Sequence, residues 1–158
     1  MNTYSLKEVS NSVDRHKVYI LLCSPDGLIA NISFIQSQNI STVNVGRELA
    51  LFIEGVDDKK YLNIDVFDRI KKILDGKKSK LNGVGNDIVA IYNLGILLEP
   101  ALELKATQLL KEFSKSAALI IIWENQMEQQ DTLNWTEQNK NYSIDFSETQ
   151  LKELQNEV

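Results

Sequence analysis

An apolar stretch at residues 17–23 (KVYILLC) runs into Ser24-Pro25-Asp26-Gly27-Leu28-Ile29-Ala30-Asn31, and apolar residues at helical spacing follow. Strand, turn and helix in this order outline a phosphate-binding loop. Its working form, G-x-x-x-x-G-K-[ST], wraps phosphates in backbone amides, neutralises them with lysine and holds magnesium on a hydroxyl. Here the first glycine position holds Ser24, the second Ile29, the lysine position Ala30 and the magnesium-ligand position Asn31. Asp26 adds a negative charge where triphosphate oxygens would lie. Phosphoryl transfer rests on positioned cations and on placement, so the pattern predicts no hydrolysis. Taken alone, Ser-Pro-Asp-Gly is also the chemistry of an ordinary strand-to-helix turn.

A phosphate-hydrolysing site needs a second part, an acidic residue closing another apolar strand. The run at residues 87–94 (DIVAIYNL) ends instead in Tyr92 and Asn93, and the first carboxylate after it is Glu99. Glu99 precedes Pro100, a pair suited to a helix start, where the helix dipole favours negative charge. No catalytic residue, cofactor or metal is therefore expected. His16, the single histidine, has no nucleophile or carboxylate nearby in sequence and reads as a surface or capping residue. Cys23 reads as packing, because no basic partner is placed to activate it. Asp57, Asp58, Asp65 and Asp68 are interleaved with Lys59, Lys60 and Arg69, the pattern of solvated faces rather than of a metal cluster. Trp123 suits core packing and Trp135 a partner contact.

The elements that would position these residues follow from hydrophobic patterning. The runs at 17–23, 87–94 and 118–123 (ALIIIW) are apolar on both faces, as central strands of a parallel sheet covered by helices on both sides must be. Residues 41–45 read as a short strand, and residues 141–146, which alternate, as an edge strand. Helical spacing marks residues 4–14, 29–36, 46–55, 64–76 and 99–116, with a polar final helix over 147–158. Residues 124–141, polar apart from Trp135, read as a surface excursion. Alternating strands and helices predict a three-layer α/β fold with a mainly parallel sheet of about five strands. With 158 residues, 43% of them hydrophobic, one domain over 1–158 with its core at 17–146 is expected.

The formal net charge of −5 argues against direct nucleic-acid binding, which needs a basic face. Lys71, Lys72, Lys77, Lys78 and Lys80 form the one local basic cluster, read here as a helix terminus whose cations complement the dipole. The single cysteine excludes an internal disulfide framework and suits a reducing cytoplasm. The first fifteen residues are polar and charged, so no signal peptide is expected, and the apolar run at 117–123 is too short to span a membrane.

From about residue 18 to 146 the chain resembles the BrxF family, small P-loop proteins of the BREX bacterial phage-defence systems. The likeness rests on the first strand and its loop, on the run STVNVGRELALFIEG, and on the spacing of the second half. Where the family's strand ends in Asp-Asn and leads to Asp-Pro, this chain has Tyr92-Asn93 and Glu99-Pro100. Leu109-Leu110 fall in the following helix, and Ser114-Lys115-Ser116 stand where the family has Ser-Arg-Asn. An apolar strand closing at Trp123 comes next. The resemblance implies a P-loop NTPase-like, nucleotide-binding core working inside a multi-protein complex that restricts or methylates foreign DNA. The departures, Ala30, Asn31, Tyr92 and Ser116, fall on the reactive positions.

The resulting expectation is a catalytically inactive P-loop ATPase-like subunit that binds other proteins of a defence complex, or copies of itself. Two alternatives stay open. One is an ATP-binding subunit completed by a neighbour's cation, with Arg47 or Lys115 as donor. The other is an unrelated small α/β signalling or binding domain.

Overall fold

The computed structural model of the chain describes residues 2–125, 127, 130–137 and 139–158. Its centre is three strands with no polar interior position: β2 (Val18–Leu22), β5 (Asp87–Tyr92) and β6 (Ala118–Trp123). Successive residues of a strand point to opposite faces. Val18, Ile20, Val89, Ile91, Leu119 and Ile121 accordingly enter one core, and Tyr19, Leu21, Ile88, Ala90, Ile120 and Ile122 the other. The first core is completed by α3 (Val45–Glu54), α4 (Leu62–Lys77) and α5 (Ala106–Ser116), the second by α1 (Leu6–Asn11) and α2 (Leu28–Ser37). Both sheet faces are thus covered. Each fully buried aliphatic side chain contributes about 1.5–3 kcal/mol, which makes this double-sided sheet the main source of stability.

Six strands lie parallel in the order β1 (Thr3–Tyr4), β9 (Lys152–Leu154), β2, β6, β5, β3 (Thr42–Asn44), and β4 (Ser79–Lys80) adds antiparallel to β5. Registers pair Ile20 with Ile121, Ala90 with Ile120 and Val43 with Ile91. Two further strands, β7 (Thr132–Glu137) and β8 (Lys140–Asp145), form a separate antiparallel hairpin. Leu133, Ile144 and Phe146 fasten this hairpin to the first core.

Four expectations are corrected. Residues 147–158 form no helix: a turn leads into β9, which inserts between β1 and β2. Leu151 enters the first core and Leu154 the second, so their spacing of three reflects opposite faces of a strand rather than one face of a helix. The alternating segment at 141–146 is not an edge of the main sheet, because β8 pairs only with β7, which itself occupies part of the expected loop. The expected helix over 4–14 shrinks to α1, with Ser5 and Glu8 in a reciprocal cap and the preceding residues paired as β1. The helix expected from Glu99 starts only at Ala106, after short 3-10 turns at Gly95–Leu98 and Pro100–Leu102.

Among the described residues no helix is long and apolar enough to cross a membrane.

Candidate functional site

Strand order decides where a ligand can sit. The chain leaves the carboxyl end of β2 toward β3, beyond β6 and β5, and leaves the carboxyl end of β6 toward β9, on the other side of β2. Such a reversal opens a crevice beyond the strand ends, the usual ligand position in an open α/β sheet. Two clefts lie there. One, of about 570 Å³, is lined by Leu22, Cys23, Ser24, Pro25, Glu124, Asn125 and Met127. The other, of about 320 Å³, lies over the ends of β3, β5 and β6, with Asn44, Tyr92, Asn93, Trp123, Asn125 and Trp135 in its wall.

The loop expected to resemble a phosphate cradle is closed. Pro25–Gly27 form one 3-10 turn that runs directly into α2, so only Cys23 and Ser24 separate strand from helical backbone. The Gly27 N–H donates to the Ser24 carbonyl (2.9 Å) and lies 3.1 Å from Ser24 Oγ. That amide is therefore already engaged. Ala30 and Asp26 are exposed and line neither cleft, while Asn31 is buried, its Nδ2 donating to the Gly27 carbonyl at 2.7 Å. Asn31 Oδ1 has no partner among the described residues.

The second cleft is held open by an asparagine clamp. Asn93 takes a left-handed backbone (φ 59°), a conformation asparagine tolerates, and Gly46 N–H donates to its carbonyl at 2.9 Å. Asn93 Nδ2 donates to Asn44 Oδ1 at 2.9 Å, and Asn44 Oδ1 also caps α3 through Arg47 N–H at 3.0 Å. A β-carbon on Gly46 would lie 2.8 Å from Asn93 Cγ. Gly46→Ala is expected to cost about 1–3 kcal/mol in urea unfolding as the amide is displaced. A cost under about 0.5 kcal/mol would mean that Asn93 swings aside freely.

Aromatic side chains form the opposite wall. Trp123 meets Trp135 edge to face (5.4 Å, 70°), and Tyr142 stacks on Trp135 at 5.7 Å. Trp135, expected to contact a partner, is thus half-buried between two aromatic rings. It is the alternation of Leu133 and Trp135 along β7 that could have signalled this. Among the described residues no lysine, arginine or histidine lines either cleft, whereas Glu124 lines both. Burial, and then the negative Glu124, push the Cys23 thiol above its ordinary pKa, away from the thiolate form a nucleophile requires.

The remaining singled-out residues lie elsewhere. His16 Nδ1 is 3.5 Å from Ser114 Oγ, at the opposite end of the sheet, and desolvation foremost lowers its pKa. Lys115 pairs with Glu112 at 3.0 Å at that same end, while Arg47 sits in the first turn of α3, next to the clamp. Lys17, which the sequence did not single out, is buried there; its ammonium donates to the Asp14 and Lys115 carbonyls. α4 ends at Lys77, one residue past the helix end expected at Gly76. The lysine cluster around it is split: Lys78 faces Asp75, Lys80 faces Asp87, and Lys72 and Lys77 line a separate groove beside β3. Asp57 and Asp58 lie between α3 and α4, and Asp65 and Asp68 lie on α4. Among the described residues no three potential ligands gather to hold a metal ion.

Compared with family models, with curated proteins and with solved structures, the chain matches none.

Proposed function

We propose that the chain is a catalytically silent relative of the P-loop ATPases that serves as an assembly subunit in a bacterial phage-defence system of the BREX type. One observation carries the silent part of this reading: the Gly27 amide in the loop is spent on Ser24, and among the described residues no cation lines the clefts. A triphosphate placed there would lose its hydration without gaining a counter-charge, and with Glu124 alongside it would be repelled. The relation to P-loop ATPases draws on the sequence resemblance and on the strand-turn-helix unit after β2 in a mainly parallel sheet. The defence assignment draws on the sequence resemblance alone.

Calorimetric titration with magnesium and ATP tests the first half. No saturable binding is expected below about 1 mM. Installing Ala30→Lys with Asn31→Thr restores neither binding nor hydrolysis, since position 30 is exposed on α2 and lines neither cleft. Micromolar binding by the unaltered chain overturns the reading. For the second half, neighbouring genes should encode a methyltransferase, a nuclease or a large ATPase that co-purifies with this chain; a neighbourhood with none of them removes the assignment.

A further inference from the structure

We propose that the cleft over the carboxyl ends of β3, β5 and β6 is a binding site for a planar nitrogen heterocycle that carries no negative charge, a nucleobase or nucleoside being the fitting class. The inference does not depend on the defence reading.

The first observation is an unanswered donor. Trp123 is 6% exposed and lines the cleft, yet its indole N–H is buried with no acceptor among the described residues. A buried donor without a partner is costly, and in a native structure such a group calls for an explanation, which here is an acceptor held at the cleft. A ring nitrogen or ring carbonyl is an acceptor of that kind. The second observation is the wall itself. Tyr92 and Trp135, both part-exposed, bring aromatic surface to the cleft beside Trp123, and Tyr142 stacks on Trp135. Aromatic surfaces of this type receive other planar rings.

The third observation is the polar complement. Asn44, Asn93 and Asn125 bring carboxamides to the same cleft: with Asn44 Oδ1 filled by Asn93 Nδ2 and the Arg47 N–H, Asn44 keeps its Nδ2 as donor, Asn93 its Oδ1 as acceptor and Asn125 both functions, the two displayed along the edge of a base. Two of them are already held in place by the bond between Asn93 and Asn44, so little ordering is needed on binding. The fourth observation sets the charge. Glu124 is in the wall and, among the described residues, no lysine, arginine or histidine lines it, so each phosphate added to the ligand meets repulsion from that carboxylate. A volume of about 320 Å³ is at the small end of ligand pockets and suits a base with at most its sugar.

The chain's two tryptophans both line this cleft, so intrinsic fluorescence reports on it directly. The full chain is titrated with adenosine, guanosine, cytidine and uridine, and then with their 5′-monophosphates, by fluorescence and by calorimetry. At least one nucleoside is expected to change the fluorescence saturably, with its monophosphate about tenfold weaker or more. Asn125→Ala and Trp135→Phe, the second conserving most of the packing, should each weaken the best nucleoside by about tenfold with the unfolding transition retained. The proposal is overturned if no nucleoside saturates below about 10 mM, if a monophosphate binds as tightly as its nucleoside, or if both variants bind unchanged. Failure to bind nucleosides leaves the silent-ATPase reading intact, whereas tight magnesium-ATP binding removes both.

Discussion

A chain ending at Gln150 does not fold. The eight residues removed include β9, which pairs with β1 through Thr3–Glu153 and Tyr4–Leu154 and with β2 through Tyr19–Lys152 and Ile20–Glu153. Their loss strips β1 of its only neighbour and leaves β2, a central strand, with a bare edge. Leu151 and Leu154 are each at least 97% buried, and truncation of such a leucine to alanine costs about 2–5 kcal/mol. Lys152 adds an ion pair with Asp14 and stands over the Tyr4 and Tyr19 rings, tying three elements together. The two leucines alone account for about 4–10 kcal/mol, comparable to the 5–15 kcal/mol that holds a typical domain together. The expected result is an insoluble product, or a soluble one without a cooperative urea transition. Leu154→Ala, which keeps the strand, should fold with a loss of about 3 kcal/mol. Were residues 147–158 an exposed polar helix, both changes would fall within about 1 kcal/mol of the parent chain.

The same segment shows where sequence patterning stops. The six residues of β6 are all apolar and all buried, and only a strand covered on both faces accommodates such a run, so its bounds were legible to the residue. Leu151, just before β9, and Leu154 within it are three apart and flanked by Lys152, Glu153 and Gln155. That spacing satisfies one face of a helix and equally the two faces of a strand, and three residues carry too little pattern to choose between them. What decides is tertiary: the vacant edge of β2, which no local window contains. Residues 141–146 read as a strand, but β7, their partner in the hairpin, went unread for a similar reason. Its polar positions, Asn134 and Thr136, alternate with Leu133 and Trp135, but a polar loop and a one-sided ribbon look alike until a core exists for the ribbon to cover.

The candidate site divides along the same line. That the strand ends near Ser24 and Tyr92 would face a ligand edge follows from alternation of strands and helices, and it could be placed from sequence. The closure of the Ser24–Gly27 turn could not, because whether an amide points outward or is taken by a neighbouring carbonyl is settled by backbone geometry rather than residue type. The clamp of Asn44 and Asn93 joins residues 49 apart in the chain, and the aromatic wall joins β6 to a hairpin that was not foreseen. Both are products of topology. The absence of lysine at position 30 was legible, yet the more telling fact is spatial: among the described residues no cation lines those clefts.

Gly85→Ala is expected to be among the most damaging single substitutions by one methyl group in this chain, costing about 3 kcal/mol or more through two separable effects. Gly85 has φ +80°, a backbone that L residues with a β-carbon adopt only under strain. A β-carbon there would also lie 2.5 Å from the Ser10 carbonyl oxygen and collide with Ser10 Oγ. Neither atom can retreat cheaply. The Ser10 carbonyl accepts from Asn86 N–H at 2.8 Å, Ser10 Oγ donates to the Val84 carbonyl, and Asn86 Nδ2 donates to the Val9 and Ser12 carbonyls at the end of α1. The methyl therefore pries α1, with buried Val9, away from the segment entering β5 and uncovers part of the second core. Gly83 isolates the backbone term: its φ is +78°, but nothing lies within 4 Å of its would-be β-carbon. Gly83→Ala should cost only the left-handed strain of about 1–2 kcal/mol in urea unfolding. Equal losses at the two positions would show that α1 yields without resistance and that the contact between Ser10 and Gly85 does not hold it in place.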